Sequence, residues 1–172
     1  MNAVPKERAV APKIALALRA EIEDLYAEYV ACLDERRFEA WPDMFVEDCV
    51  YKVQPRENFD AGLPLCTIAL ESRGMLRDRV YSVTQTLFHA PYATRHLISN
   101  FRFELFEGTS GAIRVKSNYA VLRTKVDAAT DVYNVGRMID VVVRDTDGVL
   151  RFREKHVVFD SENIPNSMIY PI

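Results

Sequence analysis

With three histidines and three cysteines among 172 residues, the chain has few of the side chains from which metal and redox centres are built. A two-iron cluster held by two cysteines and two histidines needs paired C-x-H and C-x-x-H segments, and neither occurs. A mononuclear oxygenase iron needs two histidines and a carboxylate converging on one side of the metal. His89 and His96 are the only close pair, Pro91 between them excludes one continuous helix presenting both, and His156 stands far downstream. Cys32, Cys49 and Cys66 are evenly spaced, but one falls in a helical pattern, one at a strand start and one in an apolar run. Free, mostly buried thiols are expected, in place of a disulfide framework or a shared metal site. G-x-S-x-G, a phosphate-cradling glycine loop and a dinucleotide fingerprint are missing too.

Charge of one sign is not in excess. The 22 basic and 25 acidic side chains are interspersed and leave a net charge of −3, which is no electrostatic footprint for nucleic acid. Small molecules or other proteins are the expected partners. No apolar run approaches the roughly 18 to 20 residues of a membrane span, and MNAVPKERAVAPK lacks the apolar centre of a secretory signal. A soluble, cytoplasmic chain is expected, with residues 1–12 as a flexible amino-terminal arm. A hydrophobic content of 49% suffices for one sizeable core, so residues 13–172 read as a single domain.

From Lys13 to about Arg36, apolar residues such as Ile14, Leu18, Ile22, Leu25, Tyr29 and Leu33 recur at three- and four-residue intervals, which predicts an amphipathic helix. Arg37 to Phe45 reads as a shorter helical piece bounded by Pro42, and FVEDC as a turn. Cys49 to Gln54 alternates as a short strand ended by Pro55. LPLCTIAL is an apolar run too short for a firm helix and compatible with a strand, and SRGMLRDRVYSV has helical spacing with Ser72 as cap. Beyond Pro91 the period changes to two. Four runs follow, at about Thr94 to Glu107, Ala112 to Val126, Val132 to Arg144 and Val149 to Asp160, joined by EGTSG, DAAT and DTDG. The expected architecture is α+β: a long, mostly antiparallel meander, curled into a cone with the preceding helices on one face.

Inside such a cone a histidine and a carboxylate could carry out proton chemistry without a cofactor. His96 lies beside Arg95 near a strand start, and Asp34, Asp43 and Asp48 lie near the helix-to-strand junction. A cofactor-free isomerase, dehydratase or cyclase using His96 and one aspartate is therefore an open alternative, as is a small-molecule binding protein. The simpler reading makes His96 a hydrogen-bonded surface or interface histidine at a strand edge, Asp43 and Asp48 turn or cap residues, and Trp41 and the phenylalanines core.

The segments YKVQPRENFDAGLPL and ESRGMLRDRV, followed by Arg95-His96-Leu97-Ile98-Ser99-Asn100, resemble the small (beta) subunits of aromatic-ring-hydroxylating dioxygenases. The similarity runs from about Leu25 to the carboxyl terminus and includes WPDMFVEDCVYKVQPREN; the tail FDSENIPNSMIYPI is most similar to that of the salicylate 5-hydroxylase small subunit. The resemblance implies a cystatin-like, nuclear-transport-factor-like cone in a hexamer of three small and three large subunits. It implies that the large subunit carries the Rieske cluster, the catalytic iron and the pocket for an aromatic acid such as salicylate. It carries no catalytic, cofactor-binding or metal-ligating residue onto this chain, whose expected role is structural.

Two segments are candidates for contacts between chains. Arg56, Glu57, Arg73, Arg77, Asp78 and Arg79 combine planar guanidinium groups with carboxylates, which suits a solvated face, an intra-chain network or a joint with another subunit. Some of this segment is expected at a joint. Met168, Ile169 and Tyr170 gain by docking, either on a neighbouring chain or as a seal on the cone.

Overall fold

The computed structural model describes residues 14–105, 111–161 and 168–172. The arm over 1–12, the EGTS part of one connection and residues 162–167 of the tail lie outside the described residues. Helix α1, Leu16–Asp34, buries Ile22, Tyr26, Tyr29, Cys32 and Leu33 on one face, the stripe that the spacing predicts. It closes with Arg36 in the left-handed region at φ 58°, where Arg37 N–H reaches Cys32 O at 2.8 Å and Arg36 N–H reaches Leu33 O at 3.1 Å. These bonds satisfy carbonyls that a helix end otherwise leaves open. A 3-10 segment, Phe38–Met44, then carries Pro42 and the fully buried Trp41.

FVEDC is not a turn. Strand β1 runs Phe45–Pro55 and pairs in parallel with β6, Leu150–Phe159, at Phe45 opposite Phe152 and again from Val50 opposite Glu154. Between those pairs β1 has four residues where β6 has one, so the strand bulges. That irregularity gives the segment its turn-like composition. Pro55 ends β1 and opens a short helix absent from the sequence reading, α2, Arg56–Asp60. Only Ile68–Leu70 of the LPLCTIAL run forms a strand, β2; Leu63 and Leu65 are exposed. Helix α3, Arg73–Tyr81, is capped by Ser72, whose hydroxyl accepts the Met75 N–H at 3.2 Å. One turn of π-helix, Ser82–Thr86, follows it.

Strands β3 (Tyr92–Leu105), β4 (Ile113–Lys125), β5 (Asp131–Arg144) and β6 form the predicted antiparallel meander. The six-stranded sheet has the order β2-β1-β6-β5-β4-β3, so β1 continues the meander beyond its last strand and makes the sheet mixed. Close packing across β5 and β6 requires Gly136: a Cβ there would lie 2.1 Å from the Val158 carbonyl oxygen. Alternate residues of β4, from Ile113 through Val115 and Tyr119 to Val121, turn inward into the core. The core is rich in edge-to-face aromatic contacts, such as Tyr26 with Phe152 at 5.2 Å and Trp41 with Tyr51 at 5.2 Å. The opposite face of the sheet carries Lys52, Lys116, Arg137 and His156. Among the described residues no helix is long and apolar enough to cross a membrane.

Candidate functional site

His96 and Asp34 meet. The inward register of β3 brings His96 to the carboxyl end of α1, where its Nδ1 lies 2.7 Å from one Asp34 oxygen and its backbone N–H donates to the other at 3.1 Å. His96 is buried, not exposed at a strand edge, because strand alternation turns Tyr92, Thr94 and His96 together towards the core. Burial alone would raise the Asp34 pKa, but the bonds from His96 and Thr94 outweigh it and hold the carboxyl below its ordinary range. The outer nitrogen of the ring, Nε2, is enclosed without a hydrogen-bond partner. Neither of two clefts on the molecule, of about 440 and about 630 Å³, includes His96 among its lining residues. Asp43 and Asp48 stay outside this pair. Asp43 is exposed and lies 4.0 Å from Arg77, and Asp48 is exposed on the β1 bulge.

A second polar group, which the sequence reading missed, sits deeper. Asp140 of β5 and Lys155 of β6 are cross-strand neighbours, both fully buried, with Nζ 3.0 Å from Oδ2. Tyr26 of α1 donates its hydroxyl to the same carboxylate oxygen, and the His156 N–H donates to the other at 3.1 Å. The ammonium also lies over the rings of Tyr26, Tyr29 and Phe152, at 4.8, 4.2 and 4.6 Å. Burial lowers the Lys155 pKa, against the opposing pull of Asp140, and burial followed by the Asp140 charge raises that of Tyr26. An aspartate and a lysine at inward positions of adjacent strands were the available signal.

The three histidines do not converge. His89 bonds the Tyr170 hydroxyl at 2.9 Å, and His156, on the outer face, bonds Gln54 Oε1 at 2.8 Å. Among the described residues no group of three or more His, Cys, Asp or Glu side chains is placed to hold a metal ion. The cysteines are free, and burial pushes the thiols of Cys32 and Cys49 up to about 11, which suits inert packing residues.

The arginine-rich segment divides. Arg79 points inward and donates to the carbonyls of Met168 and Ile169 at 2.7 and 2.8 Å, while Arg73 bonds the Phe45 carbonyl and approaches Glu47 at 3.6 Å. Arg56 and Arg77 make long, exposed ion pairs with Asp160 and Asp43, and Glu57 and Asp78 are exposed. Of the two docking sites expected for the tail, the chain's own cone is the one occupied. Met168, Tyr170 and Ile172 are buried, and the Tyr29 and Tyr51 hydroxyls donate to the Ile172 carbonyl at 2.6 and 3.1 Å.

Residues 15–156 match the family of SnoaL-like domains. The anthranilate 1,2-dioxygenase small subunit of Burkholderia cepacia is 37% identical over 152 residues, which are 88% of this chain and 92% of that protein. The chain belongs to the small (beta) subunits of aromatic-ring-hydroxylating dioxygenases. A solved beta subunit, described as that of an aromatic-ring-hydroxylating dioxygenase of Novosphingobium aromaticivorans, superposes with a TM-score of 0.81 at 33% identity, covering 93% of this chain and all of that one. Subunit beta 1 of the terephthalate 1,2-dioxygenase terminal oxygenase component of a Comamonas species is 26% identical over 88% of this chain and 97% of its own length. The likeness of the tail to the salicylate 5-hydroxylase small subunit is not confirmed by these relatives. They favour the small-subunit reading over a cofactor-free isomerase, dehydratase or cyclase.

Two outcomes follow for this beta subunit. Asp140→Asn leaves Lys155 buried without its counter-ion and should cost about 3 to 5 kcal/mol, whereas Asp140→Asn combined with Lys155→Met should cost clearly less than the sum of the single changes. Urea denaturation of the four proteins checks this, and additive losses would contradict it. A carboxyl whose pKa is depressed by folding stabilises above its unfolded pKa and loses that contribution as pH falls through the folded value. Wild type should therefore lose stability below about pH 5 more steeply than Asp34→Asn, as read from urea midpoints.

Proposed function

We propose that the chain is the non-catalytic, structural subunit of a Rieske-type aromatic-ring-hydroxylating oxygenase acting in aromatic-compound catabolism. In this reading three copies assemble with three iron-bearing large subunits in the cytoplasm, residues 13–172 forming the single domain and residues 1–12 an arm. The large subunit holds the Rieske [2Fe–2S] cluster, the mononuclear iron and the pocket for an aromatic acid such as salicylate. The small subunit holds large subunits in the arrangement that lets electrons pass between neighbouring metal centres. The observation that carries the reading is a 37% identity with a named small subunit that extends over 92% of its length.

The chemistry inside the cone supports it. The residues fit neither metal centre, since each histidine is committed to a separate partner: Asp34, Tyr170 or Gln54. The polar groups buried there tie helices and tail to the sheet, as a scaffold requires. On the outside, Leu63, Leu65, Met75, Tyr81, Leu87 and Phe88 are exposed apolar side chains between β1 and β3, and Phe88 is fully exposed. Exposed aromatic anchors of this kind mark docking surfaces.

Co-expression with the large subunit should give one species of both chains by light scattering. Phe88→Asp together with Tyr81→Asp should weaken that association by about thirtyfold or more without changing the melting of the isolated chain. Failure of the wild-type chains to associate would refute the function; unchanged association of the variant would refute only this docking surface.

A further inference from the structure

On the face of the sheet turned away from α1, a cleft of about 440 Å³ opens over β3, β4 and β5, with α2 at its side. Its polar lining consists of Arg102, Lys116, Arg137, Asn100, Ser117 and Asn118, and among the described residues no carboxylate lines it. The sheet builds this group locally. Between Ser99 and Arg102 the β3–β4 register jumps, and Asn100 adopts φ 59°. A bulge of this kind re-aims the side chains beside it, and here Arg102 comes opposite Lys116, next to Asn118 on the same strand. One strand further on, Asn118 and Lys116 face Arg137 and Ile139 of β5.

The donors are not all in use. Lys116 pairs with Glu104 at 3.0 Å and Arg137 with Asp60 at 2.8 Å, both at the surface, where such pairs rearrange at little cost. Arg102 has no ion pair among the described residues. Arg137 Nε is enclosed without an acceptor. Enclosed donors without acceptors are costly features that a bound acceptor would relieve. The remaining lining is apolar: Phe59 of α2, Met138 and Ile139. Arg137 lies 5.1 Å from the centre of the Phe59 ring, so cation and apolar wall are adjacent.

We propose that this cleft binds a small organic carboxylate, its anionic head among Arg102, Lys116, Asn100 and Asn118 and its apolar body against Phe59 and Ile139. Guanidinium and amide groups present planar donors that match a planar carboxylate. The volume lies in the range of small-molecule sites, which leaves room for a one-ring body beside the head. The site lies on the outer face of the sheet, and it does not rest on the assembly reading.

The test uses the purified full-length chain and benzoate as probe, followed by two-dimensional NMR and calorimetry. Expected are saturable shifts at Asn100, Asn118 and Ser117, binding at least about tenfold weaker for benzamide and for inorganic phosphate, and about tenfold weaker benzoate binding in Arg102→Gln and in Lys116→Gln. Both substitutions fall on side chains that reach the surface, so unchanged melting temperatures verify the fold, and Arg77→Gln should bind as wild type. The proposal is overturned by absence of saturation below about 10 mM benzoate, by equal binding of benzamide or phosphate, by shifts elsewhere, or by indifference to both cleft substitutions. Benzoate-free occupation of the cleft by a carboxylate side chain of a co-expressed large subunit would equally overturn it.

Discussion

The ammonium of Lys155, enclosed between β6, β5 and α1, is the constraint around which the interior is organised. A buried cation is tolerable only if its charge and its donors are answered nearby. Asp140 answers the charge at 3.0 Å, and three aromatic faces surround the remainder. The same carboxylate accepts from Tyr26, which belongs to α1 and lies 114 positions away in sequence. Helix and sheet are thus joined by a directional contact in addition to non-directional apolar packing, and this fixes how α1 lies across the strands.

A similar logic governs the rim of the cone. Arg36 bonds the Tyr92 carbonyl at 2.5 Å, and Arg79 gathers two tail carbonyls, so guanidinium groups tie loops and tail to neighbouring elements. The tail fills space with Met168, Tyr170 and Ile172. Polar groups that a catalyst would expose to a substrate are here spent on holding the fold: Asp34 on His96, Tyr29 and Tyr51 on Ile172, Asp140 on Lys155. A cone committed to its own integrity is suited to a scaffold, whose useful surfaces are external.

Much of this was legible in the amino-acid order, for definite reasons. The period-two runs of β3 to β6 are long, and their Gly- and Asp-containing connections punctuate them sharply, so their limits are readable to within two residues. Ser72 announces α3 because its hydroxyl does one local job. What escaped depends on distant partners. The parallel pairing of β1 with β6 joins residues about a hundred positions apart, and no local pattern records it. The bulge at Val46–Cys49 made a strand look like a turn. Lys155 and His96 were concealed by composition, since lysine and histidine ordinarily suggest exposure and only the facing residues Asp140 and Asp34 make their burial affordable. The family, by contrast, was readable from ordered segments, while the tail proved no guide to a particular relative.

The architectural account is tested most directly by adding the purified chain back to a separately purified large subunit supplied with its electron-transfer components. Aromatic hydroxylation would be followed while the iron content of the added chain is measured. The account predicts an iron-free small subunit that has no turnover alone and raises that of the large subunit. Stoichiometric iron in the isolated chain, or hydroxylation by it unaided, would contradict the account.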